Sequence, residues 1–226
     1  MKNLFIFILL YTLLSNIYGQ SHFINIPAGN YTVGSEGSID NPKRKVEVDA
    51  FEISAIELTN AEFELFVKAT GYVTMAEKYQ NALVFEPGLE EFRWLQDSTA
   101  YWRYPNGISR GGIADKMDHP VTCISYKDAI AYCLWANVCL PTFEEWEIAA
   151  KAGGQGLFSK GIDKVNISEY ANIWHLENHL TADTTDGYIW TSPGKSFKPN
   201  ALGLYDVFGN VFEFCEGKLL KDGTRR

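Results

Sequence analysis

Two long stretches, residues 72–120 and 154–210, show little hydrophobic periodicity but hold many Gly, Asn, Asp and aromatic residues. Compact domains rarely contain patternless segments of that length. A chain that folds around them must pack them from within, and Trp94, Trp102, Trp174 and Trp190 are the side chains large enough to do so. This argues against a helical bundle or a regular parallel sheet, which need sustained 3.6- or 2-residue patterns. A hydrophobic content of 46% is ample for the core of a 226-residue chain. With 21% charged residues the sequence is also unlike a disordered chain. No repeat, low-complexity tract or linker divides it. The expected fold class is α+β, loop-rich, with little regular secondary structure.

Regular elements are legible between and before these stretches. Thr59-x-x-Glu62, Ser125-x-x-Asp128 and Thr142-x-x-Glu145 each place an N-cap hydroxyl three residues before a carboxylate, which marks a helix start. Apolar stripes follow: Phe63, Phe66 and Val67, ended by Gly71; Ala129, Tyr132, Cys133 and Ala136; Trp146, Ala149 and Ala150, with Gly153 beyond the end. Short strands are expected at Phe23–Ile26, Asn30–Gly34 and Val46–Ala50. Phe51 and Ile53 continue the last alternation out of phase, which suggests a bulge.

Lys2 followed by the apolar run Leu4–Leu14 has the form of an export signal, too short to span a bilayer. Cleavage after Gly19 would leave residues 20–226 as one domain, secreted or periplasmic. The net charge of −8, from 28 acidic and 20 basic residues, argues against a nucleic-acid partner and against stable membrane insertion. An acidic surface does concentrate cations. Cys123, Cys133, Cys139 and Cys215 have no CxxC spacing, and an exported chain can use them as disulfides or as buried thiols.

Six segments in order resemble the formylglycine-generating-enzyme (sulfatase-modifying factor) family. They are IPAGNYTVGS at 26–35, FEISAIELTNAEFELFVKATGY at 51–72, HPVTCISYKDAIAYCLWA at 119–136, CLPTFEEWEIAAKAGG at 139–154, ANIW at 171–174 and DGYIWTSPGKSFKPNALGLYDVFGNVFEF at 186–214. The resemblance implies that family's loop-rich fold, a distant relative of the C-type lectin arrangement. It also implies oxidation of a sulfatase cysteine to formylglycine, using oxygen and a copper ion held by two cysteines that lie after the Gly-Asn-x-x-Glu segment. Here that segment is Gly209–Glu213, and the sequence given stops at Arg226, so the C-terminal part carrying the pair is expected to be missing. Copper is therefore expected only if that pair exists, and no catalytic residue is assigned. The resemblance pairs Cys133 with a cysteine of that later part. It makes an exported sulfatase the expected partner. The alternative is a non-catalytic recognition or scaffold module of the envelope with the same fold.

Calcium is the remaining cofactor the resemblance implies. One site would use the Asn172 and Asp186 side chains with the Ile173 and Tyr188 carbonyls. The second would use the Glu213 side chain with the carbonyls of Asp206, Gly209 and Val211. These donors suit Ca²⁺, which takes six to eight oxygens of mixed origin. On their own the residues are ambiguous: Asn172 can cap a turn, Asp186-Gly187 can form a type I′ turn, and Glu213 can face solvent.

Overall fold

The computed structural model describes residues 23–89, 94–154, 167–177 and 180–216. The expected signal segment lies outside them. All three capped helices form: α1 at Asn60–Thr70, α3 at Tyr126–Ala136 and α4 at Phe143–Lys151, each with a complete capping box. A shorter helix, α2 at Met75–Tyr79, carries a fourth box from Thr74 and Glu77. Gly71 ends α1 in the left-handed conformation, as expected, and Ala152 caps α4 in the same conformation with Gly153 just beyond.

The strands pair in twos. Strands β1 (Phe23–Ile26) and β4 (Phe51–Ser54) form one antiparallel pair, and β2 (Gly29–Val33) and β3 (Arg44–Val48) another. A third pair joins β5 (Ala82–Val84) to β6 (Leu95–Asp97). The phase shift after Ala50 is thus no bulge. It is the point where the chain leaves one sheet and joins the other, so the inward face must change parity.

Two apolar clusters hold these pieces. The larger packs Phe63 and Phe66 of α1 against Tyr132 of α3, with Trp102, Ile113 and Val121 from the intervening loop. Phe63 meets Phe66 and Trp102 edge-on, both at 5.4 Å between ring centroids. The smaller joins Ile26, Val33 and Ile148, which seats α4 on the sheets. The four tryptophans do not share the packing equally. Trp102 is 1% exposed, but Trp94 and Trp190 keep 49% and 38% of their surface in solvent. Phe85 does part of the work instead, meeting Trp94 at 5.7 Å and Trp174 at 5.4 Å.

The inner face of α4 is also more polar than its stripe suggests. Glu147 and Lys151 are both buried and pair at 2.6 Å. Each also bonds Gly34 at 2.7 Å: the Gly34 N–H donates to Glu147 Oε1, and Lys151 Nζ donates to the Gly34 carbonyl. Buried charges persist when paired and fully hydrogen-bonded, and this pair locks the helix to the end of β2. Asn200 reaches the same C-terminal turn of α4, donating to the carbonyls of Ala149 at 2.9 Å and Ala150 at 3.2 Å. Beyond it Tyr205 N donates to the Ala55 carbonyl at 2.9 Å, which brings the chain beside the approach to α1.

Candidate functional site

Four irregular segments meet beyond that point: Glu57 before α1, then 171–175, 183–192 and 206–213. Asn210 ties them together. Its N–H donates to the Asn172 carbonyl at 2.8 Å. Its amide oxygen accepts from Ser192 N at 2.9 Å and from Asn172 Nδ2 at 3.2 Å. Its Nδ2 donates to Glu57 Oε2 at 2.7 Å. Asp206, Gly209 and Asn210 all have positive φ, at 57°, 80° and 53°, so the chain bends sharply there. Gly209 is required there. A Cβ on it would lie 2.1 Å from the Asn172 carbonyl oxygen, and backbone cannot move aside as a side-chain tip can.

The structure brings together the residues expected at the first cation site. Asp186 accepts from Ile173 N at 2.9 Å and from Tyr188 N at 3.0 Å. Its side chain is 2% exposed, and His175 Nε2 lies 3.9 Å from Oδ2. Asn172 spends its amide hydrogens on Trp190 O, at 2.7 Å, and on Asn210, which leaves its amide oxygen as the remaining acceptor. Asp183 shapes the same loop, accepting from the N–H of His175 and Leu176 and from the N–H and hydroxyl of Thr185.

At the second site Asp206 is 1% exposed. Its Oδ2 accepts from Lys195 N at 3.0 Å, while Oδ1 is buried with no partner. Glu57, which sequence reasoning did not single out, stands with it. The N–H of Val211 and the Asn210 amide bond its carboxyl, yet Oε1 is buried and unpartnered. Burial, then the charges of Glu213 and Asp206, push Glu57 up to about 9 despite those bonds. Burial likewise raises Asp206. Glu213 keeps an exposed face, but protein crowds its carboxyl, which Trp146 hydrogen-bonds and the Asp206 charge repels, and it too is raised.

These hard oxygen donors fit calcium. Among the described residues no three His, Cys, Asp or Glu side chains gather closely enough to hold an ion by themselves, so any cation must draw on carbonyl and amide oxygens as well, which Ca²⁺ does readily. All four cysteines are free thiols. Burial pushes Cys123 and Cys215 each up to about 11 and raises Cys133, so a copper(I) ion would have to displace those protons to bind them. The Cys123 thiol is instead bonded to the Pro105 carbonyl at 3.3 Å.

The 184–191 segment helps line a cavity of about 310 Å³. Tyr188 and Trp190 belong to its lining together with Asn60, Lys116, His119 and Thr122. His119 Nδ1 lies 2.9 Å from Thr191 Oγ1, and burial holds the imidazole below its ordinary pKa. Among the described residues no helix is long and apolar enough to cross a membrane.

Residues 16–224 match the family described as sulfatase-modifying factor enzyme 1-like domain. The formylglycine-generating enzyme of Bos taurus is 38% identical over 211 residues, covering 84% of this chain and 56% of that protein. The chain thus spans about half the length of that relative. The inactive C-alpha-formylglycine-generating enzyme 2 of Bos taurus is 34% identical over 215 residues, covering 87% of this chain and 71% of that protein. Among solved structures, PvdO from Pseudomonas aeruginosa superposes with a TM-score of 0.62 at 27% identity, covering 86% of this chain and 70% of that one.

Proposed function

Because this chain belongs to the sulfatase-modifying factor (formylglycine-generating enzyme) family, we propose that it is the cation-braced scaffold of an exported protein that, in full-length form, oxidises a sulfatase cysteine to formylglycine. The observation that carries this reading is the loop knot at Asn210, which joins two oxygen-rich sites and holds the segment that helps line the cavity. In this reading Ca²⁺ is held by Asn172, Ile173, Asp186 and Tyr188 at one site, and by the loop Asp206–Glu213 at the other. The ions hold backbone that neither helix nor sheet stabilises. The cavity beside Trp190 is the concave surface that receives the polypeptide partner.

The described thiols contribute no step of the oxidation. The 226-residue chain, incubated with copper(I), oxygen and a peptide containing Cys-x-Pro-x-Arg, is therefore expected to give no aldehyde. The full-length gene product, expressed with an exported sulfatase, is expected to give one, detected by aldehyde-specific labelling and by mass. Absence of aldehyde from the full-length protein would contradict the oxidase reading. It would favour the recognition or scaffold module, to which the resemblance to an inactive relative also points.

A further inference from the structure

Two carboxylate oxygens in the second site have nothing to bind. Glu57 Oε1 and Asp206 Oδ1 are closed to solvent and lack hydrogen-bond partners. They come from opposite ends of the sequence, yet Glu57 lies close enough to feel the Asp206 charge. The opposite oxygen of each group is engaged by the protein: Glu57 Oε2 by Asn210, and Asp206 Oδ2 by Lys195 N. Each carboxyl is therefore held in a fixed orientation with its second oxygen left over. A buried, unpaired carboxylate oxygen is costly, and two that repel each other are costlier. A space that excludes water still admits a bare cation, and a cation answers both deficits together.

We propose that Glu57 and Asp206 are the inner carboxylate ligands of the second cation site, sharing one divalent ion with the carbonyls of the bent 206–211 backbone. This deepens the cation-braced reading above and rests on it. It changes the donor set that family resemblance implies, in which Glu213 supplies the carboxylate and Asp206 only its carbonyl. Glu213 keeps a solvent-exposed face and is bonded by Trp146. It adds charge beside the ion, while the two enclosed groups grip it. With two carboxylates facing one ion, the site selects a hard divalent cation over a monovalent one. The ion also links the residue before α1 to a loop about 150 positions later, which neither sheet nor helix connects.

The test uses Tb³⁺ as a calcium surrogate, read by tryptophan-sensitised luminescence and displaced with Ca²⁺. Trp146, bonded to Glu213, is the antenna for this site, so Trp146→Phe is expected to remove its share of the emission. Glu57→Gln and Asp206→Asn are each expected to weaken the ion at this site by roughly tenfold or more and to leave the Asp186 site unchanged. The rise in melting temperature that Ca²⁺ gives the wild type is expected to shrink in Glu57→Gln, whose amide oxygen can still accept from Asn210. That readout separates ligation from a merely structural role, for which the calcium-dependent rise would be unchanged. Wild-type affinity in Glu57→Gln, with the wild type itself binding, would overturn this inference alone. No binding of Tb³⁺ or Ca²⁺ by the wild type would overturn the cation-braced reading with it.

Discussion

Gly209→Ala is expected to destabilise the folded protein by about 3 kcal/mol or more. The native φ of 80° disfavours any L side chain, and the added methyl would stand 2.1 Å from the Asn172 carbonyl oxygen. That carbonyl is fixed, since it accepts the Asn210 N–H at 2.8 Å. Relief would require residues 172 and 209 to part, which pulls Asn210 off Glu57 and Ser192. The melting temperature should fall by roughly 6–12 °C. The variant should also respond less to Ca²⁺, because the donors of both sites hang on the same contact. Melting curves with and without calcium check both parts.

Phe63→Ala is expected to cost about 3–5 kcal/mol but to act differently. Phe63 is fully buried, and its ring touches those of Phe66, Trp102 and Tyr132. Removing it opens a cavity where α1, α3 and the 100–121 loop meet. No residue of that cluster is among the proposed cation donors, so the loss should be nearly the same in calcium and in chelator. A variant pair in which Gly209→Ala blunts the calcium response and Phe63→Ala leaves it intact would separate the two parts of the fold. The measurement is differential scanning calorimetry of both variants at matched ion concentrations.

Much of the helical framework is legible in the sequence because capping is local. A hydroxyl and a carboxylate three residues apart satisfy the helix N-terminus wherever they stand, and Thr59, Ser125 and Thr142 all do so. Thr74 and Glu77 carry the same signal. Their helix is too short to show an apolar stripe, which is why periodicity alone passes over it. The buried pair Glu147–Lys151 is hidden for the opposite reason. Charges four apart on a helix ordinarily mark a solvated face, and only the approach of Gly34 makes this one internal. Strand pairing is likewise non-local. The out-of-phase residues after Ala50 could announce a bulge or a change of sheet, and only the partner strand decides.

The candidate donors Asn172, Asp186, Asp206 and Glu213 stand out in the sequence only through the family resemblance, since on their own such residues serve equally in turns or at the surface. Glu57 is different. It precedes a helix start in an unremarkable Ile-Glu-Leu-Thr run, and its role depends on contact with Asn210 far along the sequence. Burial raises its pKa and leaves one oxygen without a partner, and neither property can be read from neighbours in the chain. The signal that comes nearest to it is Gly209-Asn210, a turn dipeptide that needs an acceptor for the asparagine amide.

The most direct test is the melting temperature of the wild-type protein in millimolar Ca²⁺ against excess chelator, with bound calcium counted in the same samples. An ion present at a hundred times its dissociation constant adds about 2.7 kcal/mol per site, so a rise of roughly 5–10 °C or more is expected, with calcium retained by the folded protein. Superimposable melting curves and no retained calcium would contradict the account.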